Sequence, residues 1–188
     1  LVGLVTSDVN ADRCGYISMG GPQMSAHQTM YKKNGITKLY SFDLDPSVVD
    51  RQRFNAPTSQ TVCQHHDTSE LSLKLDHVTE QLDFDTAIVW LDYTGTGGRA
   101  AQLAEFQSLL VNLKPGDIAR VTLDASLPST KLKANLPADI KNNHLAAMAE
   151  LLRQELGDYH PQDFDLASQN DVPGLLISTI ERACIRAT

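Results

Sequence analysis

KLYSFDLDPSVVDRQRF, residues 38–54, changes period in its middle. Lys38 to Phe42 is a short run with the aromatic and apolar content of a strand, whereas from Pro46 onward the apolar residues recur near a 3.6 period. At the junction, Asp45-Pro46 places an acid that can cap a helix before a proline at its first position. A strand that yields to a helix within three residues is half of a βαβ unit, and the rest of the chain repeats that unit on both sides.

Similar β-rich runs are GYISM (15–19), TVCQH (61–65), TAIVWL (86–91) and IARVTL (118–123). Helical patterns lie between successive runs, at 23–33, 69–82 and 98–113, and Asn34-Gly35 suits a helix C-terminus. Strands that alternate with helices predict an α/β fold, a doubly wound, mostly parallel sheet with helices on both faces. Beyond Asp124 the character changes: ASLPSTKLKANLPA (125–138) reads as a loop, residues 139–156 as a long amphipathic helix and 172–188 as a further helix. The organisation expected is one domain over 1–188 with its core in 14–124, the remainder forming a loop and helices at the ligand edge.

Composition narrows the class of function. The 188 residues are 41% hydrophobic and 21% charged, enough for a sizeable core. A net charge of −7 argues against a sequence-independent grip on nucleic acid or an anionic membrane, and favours small-molecule or protein partners. Cys14, Cys63 and Cys184 are far apart and form no CxxC pair, so neither a disulfide framework nor a zinc knuckle is written here, and a reducing cytoplasm is the expected home. No apolar run approaches the roughly 18 residues of a membrane span, and LVGLV at the start lacks the basic flank of a signal peptide. Oligomeric state is not encoded in any of these features.

In an open α/β sheet, ligands sit beyond the carboxyl ends of the strands. After the first strand come Gly20-Gly21, which let the backbone approach a ligand closely, although Pro22 has no N–H to offer. After the second comes Asp43, 23 residues beyond Gly20, where this architecture sets a carboxylate for ribose hydroxyls. Asp45 reads instead as the cap of the helix from Pro46. After the third strand, Asp67-Thr68 either meets a ligand or caps the helix of 69–82. His65, His66 and Asp67 are metal-ligand types, but neighbours on a strand point to opposite faces, so no metal site is expected. After the fourth strand come Asp92-Tyr93 and then Gly95-Thr96-Gly97-Gly98. With Asp124 further on, that loop has the look of a nicotinamide unit, yet such a unit opens its fold, whereas here three strand–helix pairs precede it. Lys114-Pro115-Gly116-Asp117 is a turn at the opposite edge with an architectural role, and Trp90, inside an apolar strand, reads as core.

The ordered set YISMGGP, LYSFDLDPSVVDRQR, HHDTSE, FDTAIVWLDYTG and LLVNLKPGDIARVTL resembles the Rossmann-like S-adenosylmethionine-dependent methyltransferases over about residues 14–124. The resemblance implies S-adenosylmethionine as cofactor, with Gly20 and Gly21 under its methionine part. It further implies Asp43 on the ribose hydroxyls with Leu44 beside it, and Asp67 and Thr68 near the adenine. Asp92 and Tyr93 would stand where the transferred methyl meets its acceptor. The family's usual first motif is an acid followed by GxGxG, and this chain has Ser18-Met19-Gly20-Gly21-Pro22 in its place. The family's closing antiparallel hairpin has no counterpart after Asp124.

Methyl transfer from a sulfonium is an in-line displacement, governed by alignment and desolvation of the acceptor, with a base needed when the acceptor carries a proton. Asp92, His65 and His66 are the candidates for that base. Tyr93 either stacks on a planar acceptor or buries its ring in the wall. Two other readings remain: a methyltransferase fold that has lost catalysis and serves as a binding or scaffold module, and a nicotinamide- or nucleotide-binding enzyme using Gly95–Gly98. Residues 126–138 and 139–156 are the expected determinants of acceptor choice.

Overall fold

The computed structural model describes residues 10–95, 97–127, 136, 140 and 143–188. Its regular elements are β1 (Cys14–Ser18), α1 (Ser25–Asn34), β2 (Lys38–Asp43), α2 (Pro46–Asn55), β3 (Val62–His65), α3 (Leu71–Leu82), β4 (Thr86–Asp92), α4 (Arg99–Asn112), β5 (Ile118–Thr122), α5 (His144–Leu156) and α6 (Val172–Ala187). The five strands form one sheet in the order β3-β2-β1-β4-β5. β1 runs parallel to both β2 and β4, and β2 runs parallel to β3. The predicted α/β class and alternation therefore hold. Among the described residues no strand follows β5.

The chain divides into two compact units, Leu1–Asp92 with Asn112–Val121 and Tyr93–Val111 with Thr122–Thr188. The first contains the sheet. β1 is buried along its whole length, as a central strand covered on both faces must be. With crossovers of the usual right hand, the steps from β1 through α1 to β2 and through α2 to β3 share one face, and the reversed step through α3 to β4 takes the other. On the first face Cys14, Tyr16 and Leu39 pack with Met30 of α1, and Met24, Val49 and Cys63 form a second cluster. On the opposite face the ring of Phe84 lies so close over Gly15 that a Cβ there would sit 2.3 Å from it.

Local chemistry ends these elements where the sequence signals it. Gly35 closes α1 at φ +70, its N–H bonding to the carbonyls of Met30 and Tyr31. The carboxylate of Asp45 accepts from the N–H of Ser47 at 2.8 Å and starts α2. At the far edge Asp117 accepts from the N–H groups of Ala87 and Lys114, both at 2.7 Å, so one side chain closes the predicted turn and holds the start of β4.

In the second unit, Asn143 caps α5 by accepting from the N–H groups of Leu145 and Ala146. Ala147, Met148, Leu151, Leu152 and Leu156 make the buried stripe of α5, and Leu136 packs on Ala147 and Leu151. The helix predicted from 139 is thus seen from His144; residues 128–135, 137–139, 141 and 142 lie outside the described residues. Arg99, at the start of α4, is fully buried: its guanidinium donates to the carbonyls of Asp124 and Ser126 and pairs with Glu155 at 2.7 Å.

Candidate functional site

The strand register sets the geometry of the carboxyl edge. Ser18 is level with Ser41 on one side and with Trp90 on the other, and Asp43 is level with His65. Two residues further along, Asp43 ends β2 and Asp92 ends β4 at one level, and the alternation of a strand points both to the face that carries α1. Two strand spacings, about 10 Å, separate the backbones that carry them. Gly20 follows β1, the strand between β2 and β4, at the point where the strand order reverses.

Gly20 is glycine for a reason the sequence does not reveal. A Cβ at this position would lie 2.6 Å from Met24 Sδ, 2.6 Å from Ser41 Oγ and 2.8 Å from His27 Cε1. The space a side chain would need is already filled by the protein, and the Gly20 N–H is spent on Ser41 Oγ at 3.2 Å. Gly21, at φ +56, forms the open half of the turn, since a Cβ there would meet nothing within 4 Å. Met24 then takes the same left-handed conformation at φ 56, fully buried, and enters α1 without a side-chain cap. The first turn of α1 thus has no side-chain oxygen on its N–H groups, the condition under which a helix start attracts an anion.

At the end of β2, Asp43 Oδ1 accepts from the N–H of Asp45 at 2.9 Å, which fixes the carboxylate and leaves its second oxygen able to accept. Leu44 follows, 65% exposed between two acids. Its carbonyl accepts from His65 Nε2 at 2.9 Å, and the Asp43 carbonyl accepts from the His66 N–H at 3.2 Å, so two hydrogen bonds from the end of β3 hold the Asp43-Leu44 backbone.

The two histidines diverge as adjacent strand residues should: His65 is exposed and His66 is buried. His66 stacks on Phe42 with centroids 4.6 Å apart, donates from Nδ1 to the Asp67 carbonyl and accepts from the Tyr40 hydroxyl on Nε2. Burial lowers its pKa. With both nitrogens engaged it is a structural residue and a poor base. His27, also buried, donates from Nε2 to the Tyr40 carbonyl, and burial pulls its pKa down to about 4, so its second nitrogen carries a lone pair and no proton.

Asp67 takes the capping alternative. Its carboxylate accepts from the Ser69 N–H at 2.9 Å and Glu70 reaches back to the Asp67 N–H at 3.2 Å, and the Ser69 contacts hold the Asp67 carboxyl below its ordinary range. The Thr68 hydroxyl lies 3.4 Å from Met19 Sδ, tying the end of β3 to the end of β1.

Asp92 closes β4 and is half-buried. Tyr16, on the adjacent strand β1, is fully buried, and desolvation pushes its pKa up to about 12, so it stays protonated. Trp90, one pleat below Asp92, packs on the cluster around Tyr16, and the Arg120 guanidinium lies 4.1 Å from its ring centroid. Neither Tyr16 nor Arg120 stands out in the sequence as a site residue; the only signal was their place on strands flanking Asp92.

Within the second unit, the Tyr93 hydroxyl donates to Glu105 Oε2 at 2.6 Å. Gln102 Nε2 bonds to the carbonyls of Gly95 and Gly97, the latter at 3.3 Å. A Cβ at Gly95, Gly97 or Gly98 would meet nothing within 4 Å, and Thr96 lies outside the described residues. Among the described residues no group of three or more His, Cys, Asp or Glu is arranged to hold a metal ion, and no helix is long and apolar enough to cross a membrane.

Residues 3–188 match the model of a family described as "Putative O-methyltransferase". No curated protein matches the chain. Because the family match spans nearly the whole sequence, the chain belongs to that O-methyltransferase family.

Proposed function

From membership of the family described as O-methyltransferase, we propose that this chain is an S-adenosylmethionine-dependent O-methyltransferase. Its donor would be held along the carboxyl ends of β1 and β2, and its acceptor hydroxyl presented to Asp92. The observation that carries the reading is that Asp43 and Asp92, the last residues of β2 and β4, lie level on one face of the sheet on either side of β1. The residues present fit the donor. The uncapped start of α1 and the open Gly21 suit its amino-acid carboxylate. The fixed carboxylate of Asp43 suits a pair of ribose hydroxyls, and exposed Leu44 offers an apolar surface for a purine. Asp67 keeps one oxygen for an adenine amino group, and Thr68 borders the same turn.

When bound, the donor supplies an electrophilic methyl on a sulfonium. The chain's own contribution is to align the acceptor and to take its proton. Asp92 is the group for that second task, since Tyr16 stays protonated, both ring nitrogens of His66 are engaged, and His65 stands on the edge strand β3, two strands from β4, with its Nε2 spent on the Leu44 carbonyl. Tyr93, its hydroxyl already donating to Glu105, is not a base.

Titration calorimetry with S-adenosylmethionine and S-adenosylhomocysteine tests the donor site. Asp43→Ala should weaken both about 10- to 100-fold, the effect of losing hydrogen bonds to a charged group. Unchanged affinity in Asp43→Ala, or no binding by a folded wild-type chain, would sink the reading. One observation favours a second reading, a methyltransferase fold kept for binding alone: beneath Gly20 the space is filled by Met24, Ser41 and His27. Donor binding with no transfer to any hydroxyl acceptor would support it.

A further inference from the structure

β4 is sealed on one face and half open on the other. Ala87, Val89 and Leu91 are buried, whereas Ile88, Trp90 and Asp92, which alternate with them, are only half-buried. Those three point to the α1 face, where Ile88 and Trp90 pack at the margin of the cluster of Tyr16, Leu39 and Met30. β5 lies next to β4, and its Arg120 is exposed, with the guanidinium 4.1 Å from the centroid of the Trp90 ring. Stacking on an indole holds a planar cation in place and leaves the N–H groups in its plane pointing outward, a fork that matches a carboxylate.

Among the described residues that fork has no acceptor. Arg13, Arg53, Arg99 and Arg153 each pair with a carboxylate, whereas the Arg120 side chain makes neither an ion pair nor a hydrogen bond there. Asp92 is on the same face, one strand repeat of about 7 Å beyond the level of Trp90, and does not pair with it. The Tyr16 hydroxyl lies within electrostatic reach of both charges. The face therefore offers an acceptor at the carboxyl end of β4 and a fixed cation over Trp90. A simple anion meets the Asp92 charge without compensation, and an amine meets Arg120. A molecule that turns a hydroxyl to Asp92 and a carboxylate to Arg120 satisfies both. The half-buried side chains of Ile88 and Trp90 give a flat apolar body between those groups its floor.

We propose that Arg120, stacked on Trp90, recognises a carboxylate on the acceptor and so restricts it to aromatic hydroxy acids. The proposal rests on the reading of Asp92 as the group that faces the acceptor hydroxyl. Three probes separate the contributions: 4-hydroxybenzoate, its neutral amide 4-hydroxybenzamide, and benzoate, titrated into the full chain by ligand-observed NMR at low ionic strength. 4-Hydroxybenzoate should bind at least about fivefold tighter than the amide, the effect of charge-assisted hydrogen bonds at a half-open surface, and about threefold tighter than benzoate. Arg120→Gln, which keeps the reach of the side chain without its charge, should bring acid and amide to within about twofold of each other. Arg120→Lys, which keeps the charge without the planar fork, should fall between. No detectable binding of 4-hydroxybenzoate by wild type, equal binding of acid and amide, benzoate as tight as its hydroxylated form, or a preference for the acid that survives Arg120→Gln would overturn the proposal. S-adenosylhomocysteine binding on the same samples keeps the two readings apart. A chain that binds it and treats the probes alike loses only the role of Arg120; one that discriminates through Arg120 and ignores it loses only the donor site.

Discussion

Two glycine turns, 20–21 and 95–98, look alike in sequence, each leading from a strand into a helix, and the structure holds them by different means. At the first, the glycine is itself the structural element: Gly20 is wedged among Met24, Ser41 and His27, where even a methyl group has no room. At the second, Gly95, Gly97 and Gly98 face open space, and the residue that holds the helix entry is the buried Arg99. A glycine in sequence marks backbone that something approaches or backbone that bends, and only the neighbours say which.

The sharpest way to break this comparison is at Arg99. Arg99→Met removes five donors from a buried position and leaves the Glu155 carboxylate and the carbonyls of Asp124 and Ser126 without them, so urea unfolding should show a loss of about 3–5 kcal/mol. A loss under about 1 kcal/mol would mean that the second turn is not held by its arginine.

Acid should act next, and on the first turn. His27 has a folded pKa of about 4 against an ordinary 6.5, because burial disfavours its charge. A histidine held neutral contributes its full stability above pH 6.5 and loses it as pH falls toward 4, a decline of about 3 kcal/mol in all, with His66 acting in the same direction. Urea midpoints at neutral and mildly acid pH should therefore fall more steeply for wild type than for His27→Gln. Parallel slopes would remove His27 from the account.

The smallest effects come from the glycines compared directly. Gly20→Ala should cost about 1–3 kcal/mol through overpacking against Met24, Ser41 and His27, while Gly97→Ala should stay within about 0.5 kcal/mol. Similar costs at both positions would erase the distinction.

How far the sequence revealed this molecule follows the range of the interactions involved. Asp45 and Gly35 act on residues within one turn of themselves, so the end of α1 and the start of α2 could be read directly. The alternation of strand residues announced that His65 and His66 would part, but not which would be buried, because the ring that decides it, Phe42, belongs to another strand. Arg99 gave no signal: a charge after two glycines reads as solvated, and its partners lie at 124, 126 and 155. The position of Asp43 was legible because it rests on strand length and spacing, whereas the filling of the space at Gly20 depends on Ser41, 21 residues away. The stack of Arg120 on Trp90 was illegible in the same sense, since its halves come from different strands.

Trp90 is the chain's single tryptophan, set one pleat below Asp92 and covered by Arg120. The 188 residues therefore carry one indole emitter, placed on the sheet and stacked against a guanidinium. Selective excitation of that ring gives an optical readout of the sheet's carboxyl end alone, with no tryptophan elsewhere in the chain to blur it.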